Sequence, residues 1–199
     1  MSSSTVHTTS PAPEATRRTL SARQAATVEG LTEAAVAELR AVGYGGLTVR
    51  NVAKRAGVAP ATAYTYFASK EHLVAEVFWR RFQAQPEPPT DGASPAALAA
   101  AALASFALVV ADEADLSAAC TVAVLADDDD VKLLRERIGA EQYRRLLKAL
   151  GPSADPAVIA TLQFAVSGAL LQVGTGHLSY AALPGVIDSI AKTVLGSTS

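Results

Sequence analysis

Thr48 to Lys70 reads TVRNVAKRAGVAPATAYTYFASK, and this stretch prescribes two short helices set at an angle. Thr48 has an N-cap side chain. Val49, Val52, Ala53 and Ala56 recur at helical spacing, while Arg50, Asn51, Lys54 and Arg55 fall on the other faces. Gly57 follows, where a left-handed turn residue is easiest to accommodate, and Val58 can tuck into the angle between the helices. Pro60 suits the first turn of a second helix because its missing N–H would be unpaired there anyway. Ala63 and Phe67, four apart, point to one side. Thr62, Tyr64, Thr65 and Tyr66 place hydroxyls on the other, where they can bond phosphates and base edges.

Outward from this unit, Ser21 and Gln24 have capping-box spacing, and Val28, Leu31, Ala35, Leu39 and Val42 mark the apolar stripe of a preceding helix. Gly43, Gly45 and Gly46 end that helix, and Leu47 returns the chain to the core. Ser69 caps a fourth helix whose Leu73, Val74, Val77, Phe78 and Phe82 form a stripe too broad for a small domain alone.

Thr48 through Phe67, followed by Ser69-Lys70-Glu71 and Leu73, resembles the DNA-binding domain of the TetR family of transcriptional regulators. The resemblance runs from Ser21 to Phe82 and is architectural only beyond that. It implies an all-α chain with an N-terminal three-helix helix-turn-helix domain and a C-terminal helical domain for ligand binding and dimerisation. It further implies a homodimeric regulator, a repressor on a palindromic double-stranded operator that is released by a small, largely apolar effector. Carried over by motif position, the DNA contacts are Thr48, Pro60, Ala61, Thr62, Tyr64, Thr65, Tyr66 and Lys70, with Tyr66 and Lys70 on phosphates. The fourth helix joins the two domains, with Trp79 and Phe82 at the junction. One position departs from the pattern: the family often has a capping serine after the Gly-Val pair, and this chain has Ala59.

The net charge of −2 divides unevenly. Residues 1–85 hold ten Lys/Arg and six Asp/Glu, a balance of +4, and residues 86–199 hold seven and thirteen, a balance of −6. Such asymmetry suits one segment that meets phosphate and another that does not. Cys120 is the single cysteine and cannot form an internal disulfide; with no apolar signal-peptide region at the N-terminus, the expected location is cytoplasmic. Residues 1–19, rich in Ser, Thr and Pro, are expected to stay disordered, and Arg17, Arg18 and Arg23 could form a basic arm for the minor groove. No catalytic or cofactor motif surrounds Cys120 or the three histidines, so neither an enzyme nor a cofactor is expected. Asp127 to Asp130 lacks the alternating ligands of a calcium loop and reads as acidic residues at a helix N-terminus.

The expected domains are a helix-turn-helix unit over 20–68, a connecting helix over 69–85, a proline-rich linker over 86–95 and an effector-binding and dimerisation domain over 96–199. Within the last, Ala96–Ala111 and Ser117–Ala126 read as helices, followed by a longer one whose Arg135, Arg137, Arg144, Arg145 and Lys148 are expected mainly on solvated sides. From Pro156 to Ile187 there is no Asp, Glu, Lys or Arg. A helix apolar all round is buried by core plus a partner, and the dispersed Thr161, Gln163, Ser167 and Gln172 favour a partner chain over lipid. Leu170 is expected at that interface. Candidate effector contacts are Phe106, Cys120, Val124, Tyr143, Gln163, Phe164 and Ser167, a few polar groups among apolar ones on helices that would surround a bundle cavity. The alternative is a helical carrier of apolar ligands that does not bind DNA.

Overall fold

The computed structural model describes residues 22–196, so residues 1–19 with Arg17 and Arg18, and the Ser21 cap, lie outside it. Among the described residues every regular element is helical: α1 (Ala22–Gly46), α2 (Val49–Arg55), α3 (Pro60–Tyr64), α4 (Lys70–Gln83), α5 (Pro95–Ala107), α6 (Ala114–Val124), α7 (Asp129–Leu150), α8 (Pro156–Gly174) and α9 (Leu183–Gly196).

The first four helices form as their sequence prescribes. Gly43 at φ 69° interrupts α1. Val42, expected in the core, is 47% exposed, and beyond the interruption Leu47 is buried instead. Thr48 Oγ1 accepts from Asn51 N at 3.1 Å and starts α2. Gly57, at φ 67°, makes the turn into α3, which begins at Pro60 with no side-chain cap from Ala59. Ala63 and Phe67 are both buried, and Ser69 Oγ accepts from His72 N at 2.9 Å to start α4.

Three of the C-terminal helices also have a polar start: Ser94 for α5, Asp128 for α7 and Asp155 for α8 accept backbone N–H bonds. Helix α5 stops at Ala107, short of Ala111, and α6 begins ahead of Ser117. The apolar α5 lies against α7, α8 and α9, while α6 packs on α1, α4, α7 and α8. A continuous buried cluster consequently runs from Val28 in α1 to Ala191 in α9.

Arg145 corrects an expectation, being 2% exposed rather than solvated. Its guanidinium donates to Phe82 O at 3.2 Å, Gln85 O at 3.1 Å and Pro86 O at 3.0 Å, and its Nε donates to Glu141 at 2.8 Å. It also lies 4.8 Å from the centre of the Phe82 ring. A buried charge is tolerable when it is paired and hydrogen-bonded, and here Glu141 pairs with it while carbonyls at and just beyond the end of α4 accept from it.

Helix α8 is long and apolar enough to cross a membrane by length and composition. It nevertheless buries Ile159, Leu162, Val166 and Ala169 on one face against the bundle. The opposite face carries Phe164 at 76% exposure.

Candidate nucleic-acid interface and effector cavity

The turn at Gly57 and the burial of Ala63 and Phe67 fix which face of α3 is left outside. Pro60, Ala61, Thr62, Tyr64 and Thr65 are exposed there, Thr48 is exposed at the start of α2, and Tyr66 and Lys70 are half-buried. Thr65 Oγ1 donates back to Thr62 O at 2.6 Å, which leaves its oxygen free to act as an acceptor. Lys70 Nζ donates to Tyr44 O at 3.0 Å and lies 4.3 Å from the Tyr44 ring centre, an arrangement that uses one of its three N–H groups. Tyr44 OH in turn donates to Glu71 at 3.0 Å, and burial followed by this carboxylate raises the phenol's pKa. Arg50 and Lys54 are exposed on α2 and have no ion-pair partner among the described residues; Arg55 instead binds Glu38 of α1 at 2.7 Å.

Two polar joints tie this unit to the C-terminal helices. Ser69 Oγ donates to Asp128 Oδ2 at 2.7 Å, while the other oxygen of Asp128 accepts from Asp130 N and Val131 N. The acidic run therefore caps α7 and grips the start of α4 at once, with His72 Nδ1 3.5 Å from Asp130. At the second joint Glu113, just before α6, accepts from Arg40 of α1 at 2.5 Å and from Arg81 of α4. Those two arginines hold its carboxyl below the usual range, Arg81 most strongly.

Between α4, α5, α6, α7 and α8 lies a cavity of about 310 Å³. Its wall includes Phe78, Phe106, Val110, Ile138 and Leu170, with Ser117, Thr121, Arg135, Gln142 and Tyr180 as polar members. Phe106 meets Phe78 and Phe82 edge-on at ring-centre distances of 5.6 and 5.2 Å. Of the expected effector contacts, Phe106, Cys120, Val124 and Ser167 are on the wall. Burial pushes the Cys120 thiol up to about 12, so it serves as a small apolar group.

The structure places the other three elsewhere. Phe164 points out of the bundle, Tyr143 packs against the main core, and Gln163 Nε2 is engaged by Gly139 O at 2.9 Å and Gln142 Oε1 at 3.2 Å. None of the three lies on the wall. Trp79 packs with Ala75, Val131 and Leu134, so Phe78 is the α4 side chain that faces the cavity.

The sequence profile of the bacterial regulatory proteins of the tetR family matches residues 31–77. An uncharacterized HTH-type transcriptional regulator of Mycobacterium tuberculosis (strain H37Rv) is 47% identical over 175 residues, covering 86% of this chain and 81% of that protein. The chain belongs to the TetR family. Its fold is shared with a TetR transcriptional regulator from Rhodococcus sp. RHA1, at TM-score 0.74 and 22% identity over 90% of this chain and 100% of that one. The fatty acid degradation regulator FadR from Bacillus halodurans matches at TM-score 0.61 and 16% identity, over 86% of this chain and 96% of that one.

In this TetR-family chain the cavity residues not anticipated from sequence are chiefly Phe78, Arg135 and Gln142. A signal for the last did exist. Gln142 falls four residues after Ile138 and four before Leu146, a polar side chain in the middle of an apolar stripe.

Proposed function

We propose that this TetR-family transcriptional regulator is a homodimeric repressor that holds a palindromic operator with α3 and releases it when a small, largely apolar effector occupies the cavity. What supports the reading is the path of α4. Its first residue, Lys70, follows the end of α3 by six residues and binds Tyr44 of α1, and its Phe78 forms part of the cavity wall. One helix therefore touches both sites, about 12 Å apart along its axis.

The division of labour follows the same path, with 20–68 binding DNA, 69–85 transmitting, and 96–199 binding effector and a second copy. Thr62, Tyr64 and Thr65 read bases, while Thr48, Pro60, Ala61, Tyr66 and Lys70 position the backbone. Arg50 and Lys54 add positive charge for phosphate. The outer faces of α8 and α9, with exposed Phe164 and the groove formed by Gly185, Val186, Ile190 and Val194, supply the self-complementary apolar surface that a two-fold dimer needs.

Selection of genomic fragments bound by the purified protein tests this. Enriched sites should be palindromic with half-sites about 34–36 Å apart or a simple multiple of that. Lys70→Ala should weaken all of them about equally and lower the salt slope by about one. No fragment retained even at low salt would leave a helical carrier of apolar molecules as the better reading.

A further inference from the structure

We infer that the cavity selects apolar molecules bearing a carbonyl oxygen, which the side-chain amide of Gln142 holds; this rests on the cavity being the effector site. The orientation of that amide follows from its neighbours. Gly139 O can only accept, so the group 2.9 Å from it must be the nitrogen of Gln163. The second hydrogen on that nitrogen faces Gln142 at 3.2 Å, which must therefore present its oxygen there. Gln142 Nε2 is left on the other side, buried and without a partner among the described residues, on a side chain that lines the cavity and is 4% exposed. Buried donors in proteins almost always have acceptors, and one left open on a cavity wall marks where a ligand's acceptor belongs.

The hydroxyls of Ser117, Thr121 and Ser167 are already donating within the protein: Ser117 to Tyr180 at 2.6 Å, Thr121 to Ser117 O at 3.1 Å and Ser167 to Gln163 O at 2.8 Å. Arg135 is anchored through Nη1 to Val124 O at 2.8 Å and Ala126 O at 3.0 Å. It stands seven residues before Gln142, on the same face of α7 and about 10 Å away along the helix. The wall contains no carboxylate, so its field favours an acceptor or an anion. The space, about 310 Å³, equals that of about ten waters in the liquid and suits a molecule of on the order of ten to fifteen non-hydrogen atoms.

Three probes of matched shape test the inference on the full chain by calorimetry and melting shift: 4-butylacetophenone, its hydrocarbon counterpart 1-butyl-4-ethylbenzene, and 4-butylbenzoate. The ketone should bind about tenfold more tightly than the hydrocarbon, a difference of about 1.4 kcal/mol. Gln142→Leu should abolish that preference while the hydrocarbon still binds. If the benzoate exceeds the ketone and Arg135→Gln removes the excess, the carbonyl comes as a carboxylate; if the two match, it is neutral. Either outcome supports the inference. Equal affinity of ketone and hydrocarbon for the unaltered protein, a comparison that needs no variant, would overturn it and leave the cavity as a binding site. Binding of none of the three would overturn the cavity reading itself.

Discussion

Gly57 occupies φ 67°, and a methyl group built there would meet nothing within 4 Å, so the turn between α2 and α3 needs glycine for its backbone alone. Gly57→Ala should therefore cost about 1–2 kcal/mol, read as a lower urea midpoint, with no loss of packing. An unchanged midpoint would mean that the turn relaxes. At the joint of α4 and α7, the Ser69 hydroxyl, with help from the Val131 and Asp130 N–H groups, holds the Asp128 carboxyl below its usual range. Arg144 and Lys148 hold Glu87 down to about 2. Both groups bind protons less readily when folded. Their stabilisation is thus present above the ordinary carboxylate values and lost as pH falls from about 4.5 towards 2. Asp128→Asn keeps a capping oxygen but removes the titration, so its midpoint should fall less steeply over that window.

At the scale of elements, α8 separates two surfaces that sequence alone could not tell apart. Leu170, expected at the dimer interface, lines the cavity, while Phe164, expected in the cavity, faces outward. A helix that is apolar all round has no polar face to set its phase, and only packing on α5, α6, α7 and α9 chooses which side turns inward. Phe164→Glu should accordingly yield a folded monomer in sedimentation at micromolar concentration, and a persisting dimer would place the interface elsewhere. The helix-turn-helix was legible because its determinants are local: the Thr48 cap, Gly57, Pro60 and the Ala63–Phe67 pair lie within twenty residues. Arg145 was not, because its acceptors Phe82, Gln85 and Pro86 are about sixty residues away in the chain. Gln142 was half legible; its place on the stripe announced burial, but its free amide nitrogen depends on Gln163 of another helix.

For the whole molecule, the proposed mechanism offers two routes from the cavity to α3. One is α4 itself, through Phe78. The other is α6, which contributes Ser117, Cys120, Thr121 and Val124 to the wall and is preceded by Glu113, clamped to α1 and α4 by Arg40 and Arg81. Close packing leaves α6 little slack, since a methyl group at Gly174 of α8 would lie 2.5 Å from Thr121 Cγ2. In the proposed mechanism a ligand that spreads α6 from α8 moves α4, and with it the separation of the two α3 helices of the proposed dimer. The trigger is expected at Phe78 rather than at Trp79 or Phe82, so Phe78→Ala should weaken the coupling while effector-free DNA binding is largely kept. The decisive measurement is operator affinity titrated with and without a cavity ligand confirmed by calorimetry. A loss of about 5- to 150-fold, with ligand affinity reduced by the same factor when operator is bound, is the expected result; equal operator affinity under both conditions would contradict ligand-gated release.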